Sequence, residues 1–121
     1  MKCLITDDSK VTRSILKKIM LEFGFDVIEA EDGVKAIETL ACEVIDLCLV
    51  DWNMPTMNGT EMIQTMRTHP HWKDIPAILV TDETDEDRIN SAIEAGAQGF
   101  LAKPFKSHKL AIMIKELGLD I

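Results

Sequence analysis

The chain has 121 residues, 46% of them hydrophobic, and a formal net charge of −8 at pH 7. This length suits one domain with a continuous core and is too short for two. An acidic surface repels phosphate backbones and anionic lipids, which argues against nucleic-acid or membrane binding and favours a protein partner. No apolar stretch approaches the roughly 18 residues of a membrane span, and the start does not resemble a signal peptide, so we expect a cytoplasmic protein.

Cysteine and histidine side chains suggest no metal site. Cys3, Cys42 and Cys48 lie in or beside apolar segments and lack the close pairing that zinc sites use. We expect them to be buried free thiols. His69 and His71 flank a proline in a polar loop without a third convergent ligand, and we assign them no role.

Apolar runs alternate with amphipathic segments five times along the chain. This alternation is typical of an α/β fold with a parallel sheet and crossover helices on both faces. The predicted strands are Lys2–Thr6, Asp26–Ala30, Ile45–Val50, Ala77–Thr81 and Gln98–Ala102. The third run is apolar on both alternating faces except at Asp46, which places it at the centre of the sheet.

Helical spacing predicts a sheet-facing stripe on the first two helices. The first helix begins near Ser9 and ends before Gly24. Its stripe is formed by Val11, Ile15, Ile19 and Phe23. The second helix follows an Asp-Gly turn, and its apolar face is formed by Val34, Ile37, Leu40 and Ala41.

The last three helices follow the same pattern. The third ends before His69-Pro70 and buries Met62, Ile63 and Met66. The fourth is capped by Thr84, has an acidic first turn that suits the helix dipole, and ends near Ala95. The fifth starts near Ser107, and its buried stripe is formed by Leu110, Met113, Ile114 and Leu117.

Charged side chains follow three of the predicted strands. Asp7 and Asp8 end the first strand, Asp51 ends the third, and Lys103-Pro104 follows the fifth. In open α/β sheets, ligands bind beyond the carboxyl ends of the strands. If the first and third strands are neighbours, the three carboxylates meet at one edge of the sheet. Carboxylates that close either hold a hard divalent cation or destabilise the fold, and Mg²⁺ is the natural candidate. Carboxylates, a metal ion and a lysine together indicate a phosphoryl-handling site.

The same edge carries further motif residues: the block Asp51-Trp52-Asn53-Met54-Pro55, Gly59, and Thr81 at the end of the fourth strand. With the acidic pair and Lys103-Pro104, these features resemble the receiver domains of bacterial two-component response regulators. The resemblance covers the whole chain and implies one receiver domain over residues 1–121. It also implies a three-layer α/β fold whose five parallel strands have the order 2-1-3-4-5, flanked by five helices.

The resemblance implies a role for each charged residue. Asp51 would accept a phosphoryl group from a phosphohistidine of a sensor histidine kinase or phosphotransfer protein, or from acetyl phosphate. Asp8 would ligate Mg²⁺ directly and Asp7 through a water molecule, while Asp51 and the main-chain carbonyl of Asn53 complete the protein ligands. Lys103 would pair with the phosphoryl oxygens. The protein would transfer phosphate onto itself and would not be a turnover enzyme.

The resemblance also implies a conformational switch. The Thr81 hydroxyl would move toward the phosphoryl group, and Phe100 would change its exposure. The switch would alter the face formed by the fourth helix, fifth strand and fifth helix, where a downstream protein binds. Ile112 lies off the core stripe of the last helix and is a candidate contact. We expect a stand-alone, monomeric regulator of chemotaxis or of another pathway.

One residue departs from the family pattern. The position after Thr81 is usually small in receivers, and here it is Asp82. Its carboxylate would slow phosphodonor entry, obstruct a phosphatase or contribute to metal binding. Asn53 and Glu83 occupy the two variable positions that help set the lifetime of the acyl phosphate. Because of Asp82, a receiver-like interaction module or a phosphate sink with altered kinetics remains an alternative.

Two other classes of protein fit the sequence less well. A haloacid-dehalogenase-type enzyme needs a second acid two residues after its nucleophile, where this chain has Asn53. A flavodoxin-like carrier needs a phosphate cradle in its first loop, and Asp7-Asp8 would repel a flavin phosphate.

Overall fold

The computed structural model describes residues 1–121 as alternating strands and helices. In chain order they are β1 (Lys2–Thr6), α1 (Lys10–Glu22), β2 (Asp26–Ala30), α2 (Gly33–Cys42), β3 (Leu47–Val50), α3 (Gly59–Thr68), β4 (Ala77–Thr81), α4 (Glu86–Ala95), β5 (Gly99–Ala102) and α5 (Ser107–Glu116). The strands form one parallel sheet in the order β2-β1-β3-β4-β5. The predicted fold class and strand order are confirmed.

Strands β3 and β4 are buried along their whole length because helices cover both faces of the sheet. β3 starts at Leu47, two residues later than predicted. The residue before it, Asp46, instead binds the start of β1: its carboxylate accepts a hydrogen bond from the Lys2 amide nitrogen at 2.7 Å. Asp46 therefore links the amino ends of β1 and β3 through its side chain.

The predicted sheet-facing stripe of α1 is wrong. Val11 is 70% exposed and Ile15 53% exposed, whereas Leu16 and Met20 are buried against the sheet. Ile19 and Phe23, the rest of the predicted stripe, are only partly buried at the border of that core. Helix α1 has more apolar residues than one stripe needs, and the neighbouring stripe faces the sheet.

Helix α2 also differs from its prediction. Val34 and Ala41 are exposed, and Ala36 and Leu40 form the buried face. Ile37 packs partly against the core. The buried residues predicted for α3 are all buried in the structure, because its apolar residues form only one stripe.

Each of these helices has 10 to 13 residues, and none is both long and apolar enough to cross a membrane.

The N-cap of α4 is Asp85 and not Thr84 as predicted. The Asp85 carboxylate accepts hydrogen bonds from the amides of Asp87 at 2.9 Å and Arg88 at 3.4 Å. An acid at this position also interacts favourably with the positive end of the helix dipole.

All three cysteines are free, and two of them are buried. Cys3 and Cys48 lie inside β1 and β3, where burial raises the pKa of the Cys3 thiol well above its usual range and that of Cys48 to about 12. Cys42, at the last position of α2, is exposed, so the prediction of a buried thiol is wrong there.

Candidate functional site

The carboxyl ends of β1 and β3 bring three acids together. Thr6 and Val50, the last residues of these strands, are paired in the sheet, so the residues that follow them are neighbours. One carboxylate oxygen from each of Asp7, Asp8 and Asp51 lies within 4.8 Å of the other two. Asp7 and Asp51 are 1% and 4% exposed, whereas Asp8 is exposed. The structure thus clusters the three carboxylates that the sequence singled out.

Lys103 reaches this cluster from the loop after β5. Its Nζ lies 2.8 Å from Asp7 Oδ2 and 3.6 Å from Asp51 Oδ2. Its amide donates a hydrogen bond to the Thr81 carbonyl at 2.9 Å, and its peptide bond to Pro104 is cis. Burial alone would lower the pKa of the ammonium, but the Asp7 hydrogen bond and the Asp51 charge outweigh it and raise the pKa. Lys103 therefore stays charged among the acids.

Two residues of α1 and its cap hold Asp7 in place. The Ser9 amide donates to Asp7 Oδ1 at 2.8 Å, and Arg13 Nη1 donates to the Asp7 carbonyl oxygen at 2.6 Å. The Ser9 amide and Lys103 together occupy both carboxylate oxygens of Asp7. Sequence reasoning missed this role of Arg13, although an arginine one turn after the predicted start of the helix near Ser9 could have suggested it.

The pKa of Asp51 lies above its usual value. Burial is the largest cause because it disfavours the charged form, and the neighbouring Asp7 charge adds to it. The Thr81 hydroxyl, the Lys103 ammonium and the Asn53 amide, which is 3.3 Å from Asp51 Oδ1, act in the opposite direction. They do not compensate fully for burial, so Asp51 is a more basic carboxylate than one in water.

Thr81 and Phe100, the two predicted switch residues, lie on β4 and β5. Thr81 is fully buried, and its Oγ1 accepts a hydrogen bond from the Glu83 amide at 3.1 Å. Phe100 is partly buried on β5, where it pairs with Leu79 of β4 and packs against the core. The structure brings Thr81 to Asp51 and leaves Phe100 at the surface of the sheet edge.

Gly59 allows the start of α3 to approach the loop after β3. A Cβ at this position would lie 2.8 Å from the Asp51 carbonyl oxygen and 2.9 Å from Trp52 Cα. Both are backbone atoms that cannot move aside cheaply. The Gly59 amide in turn donates to the Trp52 carbonyl at 2.9 Å. Glycine is therefore needed to keep α3 against the residue that follows β3.

Comparison with known proteins identifies the family. The model of the response regulator receiver domain matches residues 3–115. The chain belongs to this family. A receiver domain is a signalling module and not a turnover enzyme, in agreement with the expectation from the sequence.

Curated relatives of this receiver include chemotaxis proteins. It is 36% identical to the chemotaxis protein CheY of Pseudomonas aeruginosa over 118 residues, which cover 97% of this chain and 95% of the relative. It is 39% identical to the chemotaxis protein CheY1 of Helicobacter pylori over 107 residues, which cover 87% and 86% of the two chains.

Solved structures agree with this result. The chemotaxis response regulator CheY4 of Vibrio cholerae is 29% identical, with a TM-score of 0.88 over 96% of this chain and 97% of that one. The receiver domain of a sensor histidine kinase from Pseudomonas aeruginosa is 24% identical, with a TM-score of 0.87 over 98% of each chain, and shares the fold. That structure has a magnesium ion coordinated in its active-site cleft.

Three further predicted site residues are Asn53, Asp82 and Glu83. Asn53 is exposed. The Glu83 carboxylate accepts hydrogen bonds from the amides of Thr84 and Asp85 at 3.1 and 3.0 Å, and these bonds lower its pKa. Asp82 is exposed and contributes to the raised pKa of Lys103, but it is not among the carboxylates that meet within 4.8 Å. It therefore adds negative charge near Lys103.

The donor set of the receiver fits Mg²⁺. Three carboxylates supply hard oxygen ligands, and Mg²⁺ binds proteins through one or two such groups while keeping several waters. The exposed Asp8 leaves the cluster open to solvent on one side. One lysine facing three acids leaves an excess of negative charge that a dication would neutralise.

Proposed function

We propose that this receiver acts as a response regulator of a cytoplasmic phosphorelay. It accepts a phosphoryl group on Asp51 from a sensor histidine kinase or a phosphotransfer protein, and phosphorylation switches its binding to a downstream protein. One observation carries the proposal: Lys103 Nζ lies within 3.6 Å of Asp51 and 2.8 Å of Asp7 in a cluster of three carboxylates.

In the proposed reaction, a carboxylate oxygen of Asp51 attacks the phosphorus atom. A phosphorus–oxygen bond forms while the bond to the donor histidine nitrogen, or to the acetyl oxygen, breaks. Mg²⁺ held by Asp7, Asp8 and Asp51 would supply positive charge that offsets the repulsion between the attacking carboxylate and the phosphoryl oxygens. Lys103, already 3.6 Å from Asp51, pairs with a phosphoryl oxygen and holds it in place. The raised pKa of Asp51 makes its carboxylate a stronger nucleophile once it is ionised.

We assign the metal ligands to Asp7, Asp8, Asp51 and the main-chain carbonyl of Asn53. Asp8 is the direct ligand because it is exposed. Both carboxylate oxygens of Asp7 are already hydrogen-bonded, to Ser9 and Lys103, which suits contact through a water molecule. Mg²⁺ readily keeps such waters.

We propose that Thr81 and Phe100 transmit the signal. The Thr81 hydroxyl moves to the phosphoryl group, and Phe100 repacks into the space that it leaves. The change reaches the face of α4, β5 and α5, where Ile112 is 51% exposed and available to a protein partner.

The CheY relatives make chemotaxis the first pathway to test. We propose a monomer whose acyl phosphate is lost by self-dephosphorylation, at a rate set by Asn53, Asp82 and Glu83.

A second candidate is a receiver that binds partners without accepting phosphate, or that serves as a phosphate sink. The exposed carboxylate of Asp82 favours it, because it repels a phosphodonor that approaches Lys103.

Incubation with acetyl phosphate and Mg²⁺ separates the response regulator from a receiver that does not accept phosphate. A mass gain of one phosphoryl group that is absent in Asp51→Asn supports the response regulator. An Asp82→Ala variant should gain phosphate faster than the parent. If neither the parent nor Asp82→Ala gains mass with any donor, the interaction module is the better account.

A further inference from the structure

Arg88 contacts two loops of the candidate site and forms no ion pair with Asp7, Asp8 or Asp51. It lies in the first turn of α4, and its guanidinium carbon is 4.8 Å from the centroid of the Trp52 ring. Its Nη1 is 3.2 Å from Glu83 Oε2. The guanidinium thus contacts the residue directly after Asp51 and the second residue after Thr81. We name Trp52, Glu83 and Arg88 the α4 latch.

Glu83 connects the α4 latch to Thr81. One oxygen of its carboxylate accepts the amides of Thr84 and Asp85, and the other accepts Arg88. Its own amide donates to Thr81 Oγ1 at 3.1 Å. The loop between β4 and α4 is therefore held in one conformation from both sides. Movement of the Thr81 hydroxyl away from the Glu83 amide would break this bond.

Trp52 connects the α4 latch to the rest of the fold. Its Nε1 donates to Thr60 Oγ1 at 3.0 Å, and that hydroxyl is 3.1 Å from Ser91 Oγ. Ser91 Oγ donates to the Arg88 carbonyl at 2.7 Å. The indole is thus fixed between α3 and α4, and α4 cannot shift relative to Trp52 without losing these contacts.

We propose that Arg88 is a positioning residue that holds α4 and the loop after β4, and with them Thr81, in the resting conformation. This inference rests on the proposed function, because it concerns the movement of Thr81 toward a phosphoryl group. A contact made in only one of two states shifts the population toward that state. The α4 latch therefore opposes the active conformation, and weakening it makes activation easier.

The test uses the fluorescence of Trp52 in a Trp72→Phe background, in which it is the only tryptophan. Arg88→Met removes the guanidinium but keeps a good helix former. Lys115→Met, an exposed lysine in the last turn of α5, removes the same charge elsewhere. Arg88→Lys keeps the charge and loses the planar group that stacks on the ring. Melting temperatures establish that each variant is folded.

The first measurement needs no phosphoryl mimic. Trp52 emission without ligand should change in Arg88→Met and remain at the parent value in Lys115→Met. An unchanged spectrum in Arg88→Met would show that the stack on Trp52 does not form in solution, which overturns the α4 latch.

The second measurement is a titration with beryllofluoride in the presence of Mg²⁺. We expect Arg88→Met to bind about three- to tenfold more tightly than the parent, with Arg88→Lys in between, as for the loss of one cation–aromatic contact and its ion pair. A parent that responds while Arg88→Met binds equally or more weakly overturns the latch and leaves the proposed function standing. A parent with no response overturns the proposed function, and the latch with it.

Discussion

The charged residues at the amino ends of the strands, here called the amino edge, are paired differently from those at the carboxyl ends, the carboxyl edge. At the amino edge, Lys2 Nζ pairs with Glu43 at 2.8 Å, both side chains are about 40% exposed, and Asp46 has its own donor in the Lys2 amide. At the carboxyl edge, three carboxylates meet one lysine, and two of the acids are almost fully buried. At the amino edge each acid has its own donor and the Lys2–Glu43 pair is exposed to solvent. At the carboxyl edge the buried acids outnumber their cation.

This difference shows where the fold gives up stability. A solvated pair costs little to form and contributes little. Buried acids without matching cations destabilise the folded chain unless a further cation binds. Because such strained groups are retained mainly at functional sites, the charge imbalance at the carboxyl edge is itself a sign of function.

The largest effect should come from removing Lys103, the cation that pairs with the carboxylates of Asp7 and Asp51. Lys103→Met leaves Asp7 and Asp51 buried without their partner, and we expect it to lower the free energy of unfolding by about 2 kcal/mol. Urea denaturation with and without Mg²⁺ measures this effect. Added Mg²⁺ should recover part of the loss. A Lys103→Met variant as stable as the parent would mean that the ammonium does not neutralise the cluster.

A dication should reduce the imbalance in the parent. A ligand that binds only the folded chain adds about 1.4 kcal/mol at ten times its dissociation constant, so Mg²⁺ should raise the melting temperature by a few degrees. Thermal unfolding at increasing Mg²⁺ concentration measures the shift. Asp8→Asn should reduce it, and Asp46→Asn at the amino edge serves as the matched control. No shift at millimolar Mg²⁺ would count against the metal site.

Asp51→Asn should stabilise the metal-free protein by a smaller amount. The raised pKa of Asp51 shows that its charged form is less favourable in the folded chain than in water, mainly because of burial. A neutral amide of the same shape avoids that penalty. Urea denaturation without metal measures the gain, and the same variant should lose most of the Mg²⁺-dependent shift. A loss of stability would show that the Lys103 pair outweighs burial.

The gain in Asp51→Asn should depend on pH. Because the pKa of Asp51 is higher in the folded chain, the folded state holds the proton more tightly than the unfolded one. As the pH falls through this raised pKa, the parent becomes neutral at Asp51 and the difference between the two proteins should shrink. Phosphorylation by acetyl phosphate should fall over the same range, since the attacking carboxylate is lost. Paired denaturation curves across the acid range check the first point.

The smallest effect should come from the amino edge. Glu43→Gln removes a solvated pair with Lys2, and we expect almost no change in melting temperature with or without Mg²⁺. Its effect at high salt should vanish, because exposed charges are screened. A shift as large as that of Lys103→Met would remove the distinction between the two edges.

The fold and the membership of the site could be predicted from the sequence, because each depends on the order of elements along the chain. Asp7, Asp51 and Lys103 follow strands, and parallel strands place their carboxyl ends at one edge. The family resemblance supplied the strand order.

The orientation of α1 could not be predicted in this way. Two adjacent apolar stripes satisfy the helical period, and only packing against the sheet selects Leu16 and Met20 over Val11 and Ile15. The contacts of Arg88 are tertiary as well. They join residues 36 positions apart, Trp52 and Arg88, and no local pattern in the sequence indicates them.

The exposure of Cys42 offers a practical advantage. Cys3 and Cys48 are shielded inside the sheet and their thiols resist ionisation, so a maleimide reagent should modify one position without any substitution. That position lies at the end of α2, next to Glu43, which pairs with Lys2 at the amino end of β1 and therefore away from the acids. A dye attached there would report docking or tumbling of the whole molecule while leaving the acidic cluster undisturbed.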